Sequence, residues 1–321
     1  MKQVTKNEYS LCQGKELEKS YGKTVALASV SLDVGKGEMF GLIGPDGAGK
    51  TTLMRMLSSL LDPDSGDCGV AGGSVSEDPA GIRRIIGYMP QRFSLYQDLT
   101  VGENLRFFAD LFRVPRRERI KRTAMLLEFA RLEPFVKRQA GRLSGGMKQN
   151  LALACALVHT PEFLILDEPT TGVDPVSRRE FWSILKKLKE TGVTILVSTP
   201  YMEEAELCDR VALMHKGRVL MTGVAKDIAQ GFAGTVYSVA CDDTVGLAVW
   251  LKGRLTPEQV RIVGTRVHVS LFGDTGRAIA GLEREAATAG FSIAMAEPVP
   301  AALEDAFVAM IAERERRHDA A

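Results

Sequence analysis

The sequence contains no long uninterrupted hydrophobic run. Its apolar stretches, such as the one beginning at Leu151, fall short of the ~20 residues that a membrane helix needs, so the chain is not expected to span a membrane. It also lacks an excess of charge of either sign, with 41 Lys and Arg against 40 Asp and Glu. Proteins that neutralise a phosphate backbone usually carry a basic excess, so nucleic acid is not expected as a partner.

Cysteine is scarce and irregularly placed. The five cysteines are odd in number, form no C-x-x-C pair and are scattered along the chain as Cys12, Cys68, Cys155, Cys208 and Cys241. Reduced thiols are therefore expected rather than disulfides or a zinc site. Residues 1–14 lack the apolar core of a secretory signal, so the protein is expected to stay in the cytoplasm.

A glycine-rich segment follows the short apolar run that ends at Ile43. The flanking pattern predicts strand, loop and helix, and the segment itself matches G-x-x-x-x-G-K-[ST], so a chance glycine-rich turn is the weaker alternative. In such a loop, backbone N–H groups converge on phosphate oxygens at a helix N-terminus. Lys50 is predicted to reach the β- and γ-phosphates of ATP, and the Thr51 hydroxyl to bind magnesium. The predicted ATP-binding residues of this loop are Gly44, Pro45, Asp46, Gly47, Ala48, Gly49, Lys50, Thr51 and Thr52.

Two carboxylates, Asp167 and Glu168, follow the apolar run of residues 163–166. This pattern predicts a buried parallel strand with both acids at its ligand-facing end. Asp167 is expected to hold magnesium directly or through water, and Glu168 to point off the other side and polarise an attacking water. A helix cap or a solvated rim is the alternative, which a neighbouring phosphate loop makes weaker because magnesium needs anionic oxygens.

The tripeptide Ser144-Gly145-Gly146 stands immediately before a predicted helix and shortly before the strand "FLILDE". With this segment the chain resembles the ATP-binding cassette ATPases, whose signature reads LSGGQ where this chain has "LSGGM". The resemblance implies that Ser144, Gly145, Gly146 and Met147 cap the γ-phosphate held by a second cassette. It therefore implies a working dimer, with an identical or a different partner cassette.

The resemblance also assigns residues outside these motifs. Tyr21 matches the aromatic residue that stacks on adenine, although a core aromatic is the alternative. Gln91 matches the glutamine that touches magnesium and the attacking water, although a plain surface residue is the alternative. Asp174 matches the aspartate that crosses the dimer interface. The implied magnesium ligands are Thr51, Gln91 and Asp167, and the implied catalytic residues are Glu168 and Gln91.

At 321 residues the chain exceeds one comfortable core, so two domains are expected. The expected fold is an α/β P-loop cassette in residues 1–232, with a mixed sheet and a helical subdomain at about 92–142. Residues 233–321 are expected to form a small accessory or regulatory α+β domain of ferredoxin-like order. Before that domain, the segment "RVALMHKGRVLMTG" predicts a hairpin that turns at Lys216-Gly217, and the pattern changes after it.

Within the helical subdomain, the spacing of Phe107, Phe108 and Phe112 favours ordinary core packing over partner contact for most of these rings. The basic run of residues 113–122 is interpreted as a solvated face. In transporters of the resembled family, this subdomain and the loop of Gln91 grip a cytoplasmic helix of an integral membrane permease. The chain's short "LEDAF" segment near the end resembles cassettes of drug-efflux exporters of the daunorubicin-resistance type.

Pro200 departs from the family pattern. The strand after Asp174 ends, in the family, with a histidine that contacts the γ-phosphate, and Pro200 occupies that position here. This predicts an intact ATP site with slow intrinsic hydrolysis. The alternative is that Glu168 suffices and Pro200 merely starts a helix, with Thr199 as its N-cap.

Two functions follow from these residues. The favoured one is an ATP- and magnesium-dependent energy-coupling subunit of a multidrug or small-molecule exporter, cytoplasmic and peripheral on the inner face of the membrane. The alternative is a soluble cassette ATPase acting on ribosomes or DNA, or a regulator that binds ATP without turning it over. The chain also resembles one half of a tandem pair of cassettes.

Overall fold

The computed structural model describes the backbone of residues 10–319 and the side chains of residues 10–312 and 314, so the outer ends of both expected domains, residues 1–9 and 320–321, lie outside it. The chain divides into two compact units, with the division between Thr222 and Gly223. The expected boundary, after residue 232, lies later in the chain. Each unit is described by itself below.

The larger unit contains ten strands and seven helices among its described residues. The strands are β1 (Ser10–Tyr21), β2 (Thr24–Gly35), β3 (Met39–Ile43), β4 (Ser65–Val70), β5 (Gly73–Ser74), β6 (Ile86–Met89), β7 (Phe163–Asp167), β8 (Thr194–Thr199), β9 (Arg210–His215) and β10 (Arg218–Gly223). The helices are α1 (Lys50–Leu57), α2 (Pro79–Ile85), α3 (Val101–Leu111), α4 (Arg116–Phe129), α5 (Gly145–Leu157), α6 (Pro175–Glu190) and α7 (Met202–Ala205).

A six-stranded sheet in the order β10-β9-β3-β8-β7-β6 forms the centre of this unit. Strand β3 pairs in parallel with β8 and β9, and β7 pairs in parallel with β6 and β8. Every residue of β3, β7 and β8 is buried. Strands covered on both faces require continuous apolar sequences such as "FLIL". This explains why β3 pairs with β8 and β9, although more than a hundred residues of chain separate it from both.

A second sheet, in the order β2-β1-β4-β5, is antiparallel and contributes to the same core. Its inward residues, such as Leu17, Leu27 and Val30, join the apolar side of α1 and the central strands in one buried cluster. Helix α1 contributes Leu53, Met56 and Leu57 to that cluster at helical spacing. Helix α1, which follows the phosphate loop, therefore packs against residues of both sheets.

Helices α3 and α4 lie within the range expected for the helical subdomain. Thr100 caps α3 in a capping box with Glu103, which fixes the start of the helix at Val101. The expectation that Phe107, Phe108 and Phe112 pack in the core is wrong. Phe107 is 38% exposed, and the other two rings line an open groove, because the inward side of α3 is occupied by smaller residues such as Leu105 and Ala109.

The smaller unit contains helices α8 (Ala225–Gln230), α9 (Thr244–Lys252), α10 (Thr275–Thr288) and α11 (Leu303–Asp319). Its strands are β11 (Thr235–Cys241), β12 (Val260–Val263), β13 (Arg266–Leu271) and β14 (Ile293–Val299). They form an antiparallel sheet in the order β12-β13-β11-β14, which is the order of the split βαβ arrangement. Helix α8 belongs with this unit because it packs against α11.

Among residues 10–319, no helix is both long enough and apolar enough to cross a membrane.

Candidate nucleotide-binding site

The carboxyl ends of the parallel strands bring the predicted residues to one edge of the sheet. Asp167, the last residue of β7, lies opposite Ser198 of β8, and Thr199 lies opposite Ile43 of β3. The phosphate loop starts directly after Ile43. The register therefore places this loop beside the two carboxylates, as the rule for ligand sites in parallel sheets requires.

The phosphate loop depends on glycines at two positions. A Cβ at Gly44 would lie 2.3 Å from the carbonyl oxygen of Met214, so only glycine fits against β9. Gly49 has φ +101° and caps α1 with no side chain, and a Cβ there would lie 2.5 Å from the carbonyl oxygen of Ala26. The N-terminus of α1 therefore stays open to an anion.

Lys50 begins α1, and its side chain is only 3% exposed. Its Nζ donates to the carbonyl oxygens of Gly44 at 2.7 Å and Pro45 at 3.0 Å, and lies 3.1 Å from Oε1 of Glu168. Glu168 is the carboxylate with which Lys50 forms an ion pair among the described residues. The ammonium is thus held over the loop, where it can exchange this carboxylate for phosphate oxygens.

Asp167 is joined to both the phosphate loop and β8. Its Oδ1 accepts from the hydroxyl of Thr51 at 3.0 Å and from that of Ser198 at 2.9 Å. Burial raises the pKa of Asp167, and the hydrogen bonds from Ser198 and Thr51 oppose that rise. A cation beside this carboxylate would further favour its charged form.

Glu168 meets a different residue of α1 from the one that Asp167 meets. It was expected to point off the side of the strand opposite Asp167; its Oε1 contacts Lys50, whereas Asp167 contacts Thr51. Glu168 has φ +47°, which ends the alternation of the strand. Its Oε2 accepts from Nε2 of Gln91 at 2.8 Å and from the hydroxyl of Thr171 at 3.2 Å. Gln91, although exposed, therefore belongs to this cluster.

The oxygen atoms around Asp167 fit magnesium. The hydroxyl of Thr51 and the carboxylate of Asp167 are hard oxygen ligands, and Oδ2 of Asp167 is buried without a hydrogen-bond partner in the described part of the chain. No group of three His, Cys, Asp or Glu residues within residues 10–319 could hold a metal alone. The remaining ligands would therefore come from phosphate oxygens, water and the amide oxygen of Gln91.

Tyr21 lies at the turn between β1 and β2, where it pairs with Thr24. It is 50% exposed, so the alternative of a core aromatic does not hold. This exposure is compatible with stacking of the ring on a base.

The signature residues form a separate surface. The hydroxyl of Ser144 caps α5 by accepting from the backbone N–H of Met147, and the carboxylate of Asp174 caps α6 by accepting from those of Val176 and Ser177. Ser144, Gly145 and Asp174 are exposed. A Cβ at Gly146 would lie 2.5 Å from Cβ of Ser177, so the starts of α5 and α6 are in contact. No hydrogen bond or ion pair within residues 10–319 joins the segment 144–147 to the phosphate loop.

The segment of Pro200 also differs from expectation. Helix α7 begins at Met202, so the expectation that Thr199 is its N-cap and Pro200 its first residue is wrong. Thr199 stays in β8, and its hydroxyl accepts from the backbone N–H of Tyr201 at 3.0 Å. The ring of Tyr201 lies 4.0 Å below the guanidinium carbon of Arg178. Tyr201 is therefore held against α6.

Sequence reasoning missed two residues of the site. The hydroxyl of Ser198 accepts from the backbone N–H of Glu168 at 2.9 Å while it donates to Asp167, and Thr171 holds the other side of Glu168. The signal for Ser198 is a polar residue at the end of an apolar strand. Thr171 carries no such signal, because its contact depends on the turn after β7.

Comparisons with known proteins agree with this geometry. A family model described as ABC transporter matches residues 27–171. The probable multidrug ABC transporter ATP-binding protein YbhF of Escherichia coli is 51% identical over 212 residues, which are 66% of this chain but 37% of that protein. The linearmycin resistance ATP-binding protein LnrL of Bacillus subtilis is 39% identical over 225 residues, 70% of this chain and 72% of that protein.

Among solved structures, a dimeric ATP-binding cassette in a post-hydrolysis state with ADP and phosphate covers 66% of this chain and 98% of its own, at 30% identity and a TM-score of 0.62. The matched family region includes the phosphate loop, Gln91, the signature segment, Asp167 and Glu168. The chain spans little more than a third of the E. coli relative and most of the B. subtilis relative. On these grounds the chain belongs to the ATP-binding proteins of the ABC transporter family.

Proposed function

We propose that the chain is the ATP-hydrolysing, energy-coupling subunit of an ABC exporter. The observation that carries the proposal is the cluster at the carboxyl edge of the central sheet, where Lys50, Thr51, Gln91, Asp167 and Glu168 are linked by direct contacts. These groups supply a phosphate-binding cation, oxygen ligands and a carboxylate positioned by two neutral donors.

In the proposed site the triphosphate lies on the phosphate loop with its adenine on Tyr21. Lys50 neutralises the phosphates, while Thr51, Asp167 and Gln91 hold magnesium, which shields the phosphate charge when bound. Glu168, freed from Lys50 by the phosphates, accepts a proton from the attacking water. Gln91 and Thr171 keep its carboxylate oriented through Oε2.

A second cassette completes the site. The exposed helix caps Ser144 and Asp174 offer backbone and hydroxyl groups with no partner on their own phosphate loop, which supports their action across a dimer. The similar solved cassette is described as dimeric, which supports a dimer here as well. We propose the smaller unit, residues 223–319, as an accessory domain that stabilises the dimer or regulates it, since every residue assigned to the nucleotide precedes it.

The membrane partner is a separate integral permease. A groove of about 390 Å³ lies between β6, α3 and α5, and its lining is largely apolar, with Leu95, Phe108, Leu111, Phe112 and Ala156. Leu111 is 60% exposed. An amphipathic helix of the permease fits such a groove through its apolar face. The relatives named for multidrug transport and linearmycin resistance support export of small molecules. In this proposal the subunit lies on the inner face of the membrane, where it meets the permease.

The proposal predicts stoichiometric copurification of an integral membrane protein when the tagged chain is isolated from detergent-solubilised membranes. A matched preparation carrying Leu111→Asp should lose that protein and keep ATP binding, because a buried charge in the groove is costly and the groove holds no nucleotide residue. Recovery of ribosomes or DNA instead would support the soluble alternatives. A chain that binds ATP but does not hydrolyse it, either alone or with a partner cassette, would indicate a regulator.

Pro200 gives the proposed site a weakened hydrolytic step. Pro200 has no side-chain hydrogen-bond donor and no backbone N–H to offer at this position. Loss of one preorganised donor to a developing oxyanion costs about 10²–10³ in rate. Efficient turnover would then require a partner cassette with a complete site.

We expect Pro200→His to raise the steady-state ATPase rate of the purified chain at least about tenfold with little change in KM, because the imidazole adds a donor in the transition state alone. Pro200→Ala is the matched control, since it makes the same backbone change without the imidazole. A wild-type chain that already turns over at about 1–10 per second, with no gain from histidine, would contradict the weakened-site proposal.

A further inference from the structure

A buried carboxylate outside the nucleotide-binding residues lies next to the Pro200 segment. Glu204, in α7, is 2% exposed. The hydroxyl of Thr170 donates to its two oxygens at 2.9 and 3.1 Å, and the hydroxyl of Thr199 donates to Oε2. Thr170 and Thr199 are themselves buried, at 1% and 0% exposure. Charge-assisted hydrogen bonds at this depth fix the positions of all three side chains.

The two threonines belong to different segments of the site. Thr170 lies in the turn that starts at Glu168, in which the backbone N–H of Thr171 donates to the carbonyl of Glu168 at 3.2 Å. Thr199 ends β8, and its carbonyl accepts from the backbone N–H of Gly44 at 3.4 Å. Glu204 therefore joins the turn that carries Glu168 to the strand end that borders the phosphate loop.

Arg178 balances the charge of this cluster. Its Nε lies 3.7 Å from Oε1 of Glu204, and its Nη1 lies 3.5 Å from Oε1 of Glu203, whose side chain is 78% exposed. Arg178 belongs to α6, the helix that Asp174 caps. The cluster thus also reaches the helix that starts at the proposed dimer surface.

We propose that Glu204 is a positioning residue: it fixes the turn that begins at Glu168 relative to residues 199–206, the segment that contains Pro200. In the described structure, two side-chain hydrogen bonds connect residues 169–174 with residues 199–206. Both run from the hydroxyl of Thr170 to the carboxylate of Glu204. Pro200 offers no side chain that could make a second connection. The inference rests on the proposed function for its consequence, which is that Glu204 acts on turnover through Glu168.

The test is hydrogen exchange of the full chain without nucleotide. Glu204→Gln keeps the shape and removes the charge, and Thr170→Val removes one hydroxyl without changing charge. In both variants the backbone amides of residues 169–174 and 199–206 are expected to exchange at least about tenfold faster, because a buried charge-assisted hydrogen bond is lost. Amides of residues 46–51, which form no hydrogen bond to residues 199–206 in the described structure, should be unchanged.

Glu203→Gln is the matched control, since it removes the exposed carboxylate that also faces Arg178. It is expected to exchange as the wild type does. Faster exchange confined to residues 201–206, or spread evenly over the whole cassette, would overturn the proposal, because the first indicates a local cap and the second a general loss of stability.

The steady-state ATPase kinetics of the Glu204→Gln variant provide a second test. With ATP, Glu204→Gln is expected to lower kcat about tenfold or more and to leave KM near the wild-type value, since the phosphate loop is untouched. A rise in KM with unchanged kcat would contradict positioning of Glu168. Failure of the wild-type chain to bind ATP would refute the proposed function, whereas the exchange result, which needs no nucleotide, would still decide the role of Glu204.

Discussion

Glu168→Gln is expected to lower the ATPase rate at least about a hundredfold while ATP binding is kept or becomes tighter. The amide keeps the shape but cannot accept the proton of the attacking water, and a general base contributes about 10²–10⁴ in rate. Binding is kept because the variant loses the carboxylate that competes with the phosphates for Lys50 at 3.1 Å. It also removes negative charge beside the γ-phosphate.

The measurement is steady-state hydrolysis beside titration calorimetry with ATP. Glu162→Gln is the matched control, because Glu162 is an exposed carboxylate just before β7, at the opposite end of the same strand. It should behave as the wild type. Turnover at the wild-type rate in Glu168→Gln would show that Glu168 is not the base, and a large loss of affinity would show that it binds the nucleotide instead.

Lys50→Ala is expected to abolish tight ATP binding, with a loss of affinity of about a hundredfold or more. The ammonium provides charge-assisted contacts to phosphate, and its hydrogen bonds to Gly44 and Pro45 order the loop. Both effects disappear together in the variant. Calorimetry with ATP and with ADP measures the loss, and unchanged affinity would refute the role of Lys50.

The single variant also leaves Glu168 buried without its cation, which costs about 3–5 kcal/mol for a buried pair. The double variant Lys50→Ala/Glu168→Gln removes that charge, so it should regain much of the thermal stability and still fail to bind ATP. Lys36→Ala, at an exposed position, is the control for loss of one positive charge. Recovery of binding in the double variant would mean that instability alone explained the loss.

The sequence predicted the fold and the phosphate loop because both depend on short local patterns. Strand β7 is an apolar run ended by Asp167, and α1 follows Gly49 with apolar residues at helical spacing. The family and fold expected from these motifs are confirmed by the comparisons. The assignments of individual site residues stay predictions until the variants are measured.

What the sequence could not predict depends on side chains that meet only after folding. Glu168 has a left-handed backbone conformation, with φ +47°, and its carboxylate contacts Lys50. No local sequence pattern predicts that conformation. The sequence pattern predicts Thr199 as a helix N-cap. In the structure its hydroxyl donates a hydrogen bond to the buried Glu204, and the residue stays in β8. This contact, at a sequence separation of 5, outweighed the N-cap preference, so helix α7 starts two residues after Pro200.

The position of β3 in the central sheet has a consequence for synthesis of the chain. Both neighbours of β3, strands β8 and β9, come late in the sequence, so the phosphate loop lacks its supports until His215 has been made. From Thr51 to His215 the chain runs a further 164 residues (215 − 51). At about 5–20 residues per second, the ribosome needs roughly 8–33 s for that length. During this interval β3 lacks both of its neighbouring strands, and ATP has no formed site to stabilise.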